Sequence, residues 1–278
     1  MIKGRKQAFH YNVEEYMRKL LLLVRISKPA YNKTLYQDYK IYMNRQKNFR
    51  DPKYNHGQHD KYEGAILRGP CDVKYFEDGK EKQVHLNNDG IMYKENNAYV
   101  FCMYEIEFNQ KTYDKENNKF YHDISWDYIK PLWDEDGLEM MIIKNTSVFF
   151  KKFSEAADKE RKNWAKGLVK YDLQDKLQDK AYFEKALKDD FESVYHKIDD
   201  YKEQKEYRLT INDDSGKDFF ILPLENDNSL MFDFFTLEYG KNIIVEISNL
   251  EFDPQTNMPN RFSAKLRYAE PVNPIETL

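Results

Sequence analysis

The chain has 278 residues, 41% hydrophobic and 33% charged, with 22 tyrosines and 18 phenylalanines against only 10 glycines and 9 prolines. That balance supplies a ring-rich core under a polar surface, and it excludes a disordered chain, a loop-rich scaffold and a β-propeller. The formal charge of −4 is spread as interspersed pairs, which argues against nucleic acid as main partner, because phosphate binding calls for a basic stripe.

In chain order, Asn12 is placed to cap a helix, with Glu14 and Glu15 in its first turn and Tyr16, Leu20 and Leu23 at helical spacing; a helix over about 13–24 is predicted, ending before Pro29. The apolar run Leu20–Val24 is too short for a signal sequence or a membrane span. "YKIYMNR" reads as a strand followed by a polar loop, and residues 71–108 as a meander with turn signals at "EDGKE" and "NNDG". Within it "VFCMYEIEF" alternates, with Tyr104, Ile106 and Phe108 on one face and Glu105 and Glu107 on the other, the pattern of a half-buried strand. Met140–Ile143 predict a short buried strand, and Asn145, Thr146 or Ser147 caps a helix whose apolar face is Phe149, Phe153, Ala156 or Ala157, and Trp164. "GLVKYDL" predicts another strand, and residues 174–197 a charged helical segment with Leu177, Ala181, Leu187 and Phe191 as its stripe. The last third is mostly strand: "EYRLTI", "DFFILPL", "SLMFDFFTL", "KNIIVEISNLEF" and "RFSAKLRYA". The fold class expected is α+β, a mixed or antiparallel sheet with several helices in one large domain over 1–278, with a subdivision at 172/173 left open.

Phosphate-loop, dinucleotide-fold, nucleophile-elbow and zincin motifs are all absent from the sequence. His56, His59, Asp60 and Glu63 in "HGQHDKYEG" offer nitrogen and oxygen ligands, and a solvated loop with two surface histidines is the favoured reading over a metal site. Cys71 and Cys102 have no second cysteine at metal spacing and form no secreted disulfide framework, so a reducing cytoplasm is expected. Cys102, inside "YVFCMY", reads as a small buried hydrophobe rather than a thiolate nucleophile.

"YKEQKEYRLTI" turns from charge to strand without Gly or Pro. Gln204-Lys205-Glu206 at that change resembles the Q-x-E corner of ADP-ribosyltransferases, with Arg25 in "LVRIS" and Thr146-Ser147 in "IIKNTSVFF" in the matching order. The resemblance implies Glu206 as the catalytic carboxylate, Gln204, Arg208 and Arg25 as substrate contacts, and NAD as substrate, with no cofactor required and no metal. The structural alternative pairs Glu206 with Arg208, since residues two apart share one face of a strand. Over residues 36–211, "IYMNRQKNFRDPKYNHGQHDKYEG", "YVFCMYEI", "GLVKYDL" and "FESVYHKIDDYKEQKEYRL" together resemble uncharacterised bacterial and phage proteins of the DUF2971 family, Met103 standing where that family has serine. This resemblance implies a role in phage–host conflict. A second reading is a phage-encoded protein that blocks a host defence complex by direct binding, its surface bearing many exposed tyrosines among acidic side chains. A protein partner is expected, a membrane is not, and homo-oligomerisation is left open.

Overall fold

Leu22, Leu23 and Val24 are all fully buried, and a run with no face to show water suits the middle of a sheet covered on both sides. The computed structural model describes residues 20–53, 59–77, 79–94, 96–108, 112–226, 228–252 and 259–269. Here Leu20–Ser27 is a strand, which corrects the helix expected over 13–24; residues 13–19 of that expectation lie outside the described residues. Helical spacing of a few apolar residues fits a doubly buried strand equally well when the run is this short.

The strands in chain order are β1 (Leu20–Ser27), β2 (Lys40–Arg45), β3 (Ala65–Arg68), β4 (Cys71–Glu77), β5 (Lys80–Leu86), β6 (Ile91–Tyr93), β7 (Ala98–Glu107), β8 (Tyr113–Asp114), β9 (Lys119–Ile124), β10 (Glu139–Ile143), β11 (Asn163–Leu168), β12 (Glu206–Asn212), β13 (Phe219–Pro223), β14 (Phe232–Thr236), β15 (Ile243–Phe252) and β16 (Pro259–Tyr268). The helices are α1 (Pro29–Tyr36), α2 (Trp126–Ile129), α3 (Thr146–Lys159), α4 (Leu173–Lys176) and α5 (Lys180–Lys188). The class is α+β in one domain. Among the described residues, no helix is long and apolar enough to cross a membrane.

The main sheet runs β11-β12-β7-β1-β10-β14, with β2 joining β7 and β13 joining β2. One face carries Leu23, Phe101, Met103, Met141, Ile143, Tyr207 and Leu209, packed with Phe149, Phe150 and Phe153 of α3. The other presents Leu22, Val24, Tyr104, Ile106, Met140 and Ile142 to Phe120, Ile124, Ile243, Val245 and Ile247 of a smaller sheet, β16-β15-β9-β8. Helix α3 is capped by Asn145, whose side chain accepts from the Val148 N–H, while Trp164 lies beyond the helix on β11 and meets Phe153 edge-on. The meander expected over 71–108 is divided: β4–β5 is a separate hairpin, β6 pairs with β3, and β7 enters the main sheet. Because β7 is covered on both faces there, Glu105 is buried rather than solvent-facing. The helical segment expected over 174–197 breaks into α4, α5 and a 3₁₀ turn at Glu192–Tyr195. The strand read in "GLVKYDL" ends at Leu168, after which Lys170 makes an isolated parallel bridge to His196.

Along one edge of β7 two neighbours share the work. β1 pairs with it up to Val24–Tyr104 and then leaves, whereas β2 takes up the pairing at Val100 and Tyr99. Between those contacts the edge is open around Cys102, and the guanidinium of Arg25 fills the gap, Nη1 donating to the Cys102 carbonyl at 3.0 Å.

Candidate functional site

A cavity opens at this gap. Its volume is about 140 Å³, and Arg25, Gln204, Glu206 and Arg208 all line it, with Cys102 and Lys197. The structure thus brings the four sequence-selected residues together.

Glu206 and Arg208 begin β12 on the face away from α3. Their strand is buried on both sides along nearly its whole length. The turn before it is tight: Lys205 adopts a left-handed backbone at φ 38° and closes the 3₁₀ turn Asp199–Gln204. The Glu206 N–H donates to the Tyr171 hydroxyl at 2.9 Å, which fixes the start of the strand.

Arg208 is 1% exposed and sits between two carboxylates. Its Nε donates to Glu206 Oε1 at 2.7 Å and Nη2 to Oε2 at 3.2 Å. On the other side Nη1 and Nη2 meet Glu63 Oε1 and Oε2 at 2.7 and 2.9 Å, and Nη1 also donates to the Val194 carbonyl. Lys197 Nζ lies 2.8 Å from Glu206 Oε2 and donates to Gln204 Oε1 at 2.8 Å. Gln46 Nε2 donates to Glu63 Oε1 at 2.8 Å and Asn96 supports Gln46 in turn. Burial opposes ionisation of Glu206, but Arg208 and then Lys197 outweigh it and hold the carboxyl well below the usual carboxylate range. Asp60, behind this network, goes the other way: burial and then the Glu63 charge push it up to about 6.

Two cations, Arg208 and Lys197, balance two carboxylates, Glu63 and Glu206. Arg25 stands apart. It stacks over Phe101 at 4.1 Å from the ring centroid, and no carboxylate among the described residues pairs with it. Its Nε is shut off from solvent without a hydrogen-bond partner, and desolvation lowers its pKa to about 10. A charged guanidinium at a cavity wall, with no carboxylate partner among the described residues, has the chemistry that suits an anionic group.

Cys102 also lines the cavity, half-buried rather than fully packed away. Burial, and then the Glu206 charge, push its thiol up, so it is a neutral thiol rather than a nucleophile at neutral pH. Thr146 and Ser147 open α3, and neither lines the cavity. From "HGQHDKYEG", His56 lies outside the described residues, Asp60 and Glu63 are turned inward on the cations, and the His59 carbonyl accepts from the Tyr201 hydroxyl. Among the described residues no group of three or more His, Cys, Asp or Glu side chains is placed to hold a metal ion. Sequence reasoning passed over Lys197, Tyr171 and Gln46, and weighed Glu63 only as a metal ligand; a carboxylate flanked by apolar "YEGAIL" was the available signal that Glu63 turns inward.

No protein-family model, curated protein or solved structure matches the chain.

Proposed function

We propose that the protein acts on NAD or a close pyridine-nucleotide relative in this cavity. Glu206 holds a ribose hydroxyl and stabilises the positive charge that develops at C1′ as nicotinamide departs. The C1′–N bond breaks with its electron pair going to the nicotinamide ring nitrogen. A nucleophile, either water or a side chain of a target protein, adds at C1′ and releases its proton to solvent. Arg25 takes the phosphate charge, and Gln204 orients the sugar beside Glu206. The observation that carries the reading is the convergence of Arg25, Gln204, Glu206 and Arg208 on one cavity. An ionised carboxylate is what oxocarbenium stabilisation needs, and the cations around Glu206 favour that form. The setting we propose, phage–host conflict, rests on the motif resemblance read over residues 36–211 in the sequence.

The experiment is incubation of the full chain with labelled NAD and a bacterial lysate, beside Glu206→Gln and Arg25→Gln. Nicotinamide release or label transfer by the unaltered protein, lost in both variants while circular dichroism stays unchanged, supports the reading. Equal turnover by all three overturns it.

A second reading, a non-catalytic protein that blocks a host complex, is favoured by a different feature. Trp126, Trp133 and Tyr239 form an edge-to-face cluster with centroids 5.0–5.6 Å apart, and Tyr239 is 69% exposed. Among the described tyrosines only Tyr31 and Tyr239 are exposed, so this cluster, rather than a tyrosine-rich surface at large, is the anchor such a binder would use.

A further inference from the structure

Pockets that enclose a drug-sized ligand have volumes of about 300–1,000 Å³, and this cavity has about 140 Å³. If Glu206 and Arg25 receive the ribosyl and phosphate part of a dinucleotide, the rest of the ligand has to lie across the mouth.

The wall changes character there. Tyr42 of β2 is stacked between two other rings: Tyr31 of α1, with centroids 5.6 Å apart and planes at 14°, and Phe219 of β13, at 5.1 Å and 23°. Tyr31 and Tyr42 both line the cavity. The outer rings remain open to water, Tyr31 at 45% and Phe219 at 42% exposure. A three-ring stack with exposed ends gains little from burial as a core would, and it offers a flat apolar surface to a planar group instead.

The platform is held by regular structure rather than by a loop. Helix α1 starts with Pro29 and is anchored by the fully buried Asn32, whose Nδ2 donates to the Glu139 carbonyl at 3.1 Å. β13 pairs with β2 in continuous register, Phe219 opposite Asn44 and Ile221 opposite Tyr42. Side chains fixed on helix and strand hold a ring in a defined place.

We propose that Tyr31 is the stacking platform for the second aromatic ring of the ligand, which makes the ligand a dinucleotide with its base at the rim and its ribosyl end in the cavity. This rests on the reading of the cavity as a pyridine-nucleotide site. With NAD, the adenine lies on Tyr31 while the nicotinamide riboside reaches Glu206. Stacking is tolerant of base identity because every base has a π-face, so Tyr31 selects for the presence of a base rather than for adenine.

The test is calorimetric binding of NAD and of nicotinamide mononucleotide, which lacks the adenylate half, to the full chain and to Tyr31→Ala and Tyr31→Phe. The unaltered protein is expected to bind NAD more tightly than the mononucleotide. Tyr31→Ala should weaken NAD by about tenfold, the loss of one base–ring stack, leave the mononucleotide unchanged, and be rescued by Tyr31→Phe. Equal binding of both ligands with no effect of Tyr31→Ala overturns the platform and leaves the cavity reading standing, as does a Tyr31→Ala loss shared equally by both. Binding of neither ligand by the unaltered protein overturns the cavity reading and the platform with it. Tyr31 is exposed, so its truncation removes no core contact.

Discussion

Arg208 grips Glu63 across 145 residues of chain with two near-parallel hydrogen bonds, Nη1 to Oε1 at 2.7 Å and Nη2 to Oε2 at 2.9 Å. With its Nε it holds Glu206 as well, at 2.7 Å. One guanidinium therefore ties the turn before β3 to the strand that floors the cavity. The arrangement spends stability on geometry, since ion pairs of this kind seldom outperform apolar packing.

Removing the cation leaves two buried carboxylates, Glu63 and Glu206, with Lys197 as the cation remaining beside Glu206. Arg208→Met is expected to lower stability by roughly 3–5 kcal/mol, a fall in melting temperature of about 10 °C or more. Arg208→Lys should recover only part of the loss, because an ammonium cannot supply the fork that meets both carboxylates. Thermal unfolding followed by circular dichroism checks both; a melting temperature within two degrees of the unaltered protein would show that the network is not under load.

Stability should peak on the acidic side of neutrality. Asp60 has its folded pKa raised from 3.8 to about 6, so the folded state binds a proton more tightly than the unfolded chain and stability falls as pH rises through that window. Glu206 has its folded pKa lowered, so its contribution is present above about 4.5 and is lost as pH falls below that value. Urea midpoints measured from pH 2 to 8 should rise up to about pH 4, decline between about pH 4 and 6, and then level off. Asp60→Asn, which removes a carboxylate whose Oδ2 has no hydrogen-bond partner among the described residues, should flatten the decline between pH 4 and 6 and leave the acid limb in place.

The two cysteines should differ in reactivity. Both thiols are pushed up, Cys71 by burial and then Asp72, Cys102 further by burial and then Glu206. At pH 7.5 a thiol reagent is expected to label Cys71 first and Cys102 much later, as read by mass spectrometry of the peptides. Labelling in the reverse order would mean that Cys102 is more open, and more thiolate, than its surroundings allow.

Helix α3 depends on its first hydrogen bond. The Asn145 side chain accepts from the Val148 N–H at 3.1 Å, and Asn145→Ala should cost about 1 kcal/mol. Ser147→Ala, on an exposed position of the first turn, should cost almost nothing. Comparing the two melting temperatures assigns the cap, and equal effects would refute the assignment.

Some of this architecture is legible in the residues. Glu206 and Arg208 share a face because a strand repeats every two residues, and the same rule places Tyr104 and Ile106 together on the core side. Asn145 announces its helix by type and position. Other features are not written locally. Leu20–Val24 satisfies helical spacing and doubly buried strand alike, and only the two flanking strands decide between them. Glu105 alternates like a solvent-facing residue, yet the layer above it comes from elsewhere in the chain. Glu63 looks like a loop ligand because its true partner is Arg208, and no window of sequence contains both. Arg25 is distinctive only once β1 and β2 are seen to part company on β7.

That parting has a temporal side. β7 is paired to β1 and β2, made before it, and to β12, made about a hundred residues after it. Folds dominated by such distant pairings close slowly, because the chain ends must be brought together before any contact rewards them. A nascent chain that has reached only β11 already carries Glu63 and one edge of β7 but neither Arg208 nor Lys197. The cavity is therefore completed late in synthesis: the gap that Arg25 fills belongs to the early part of the chain, whereas the floor and the charge balance arrive together, in the short stretch from Lys197 to Asn212, and a chain stopped before that stretch leaves the other edge of β7 open.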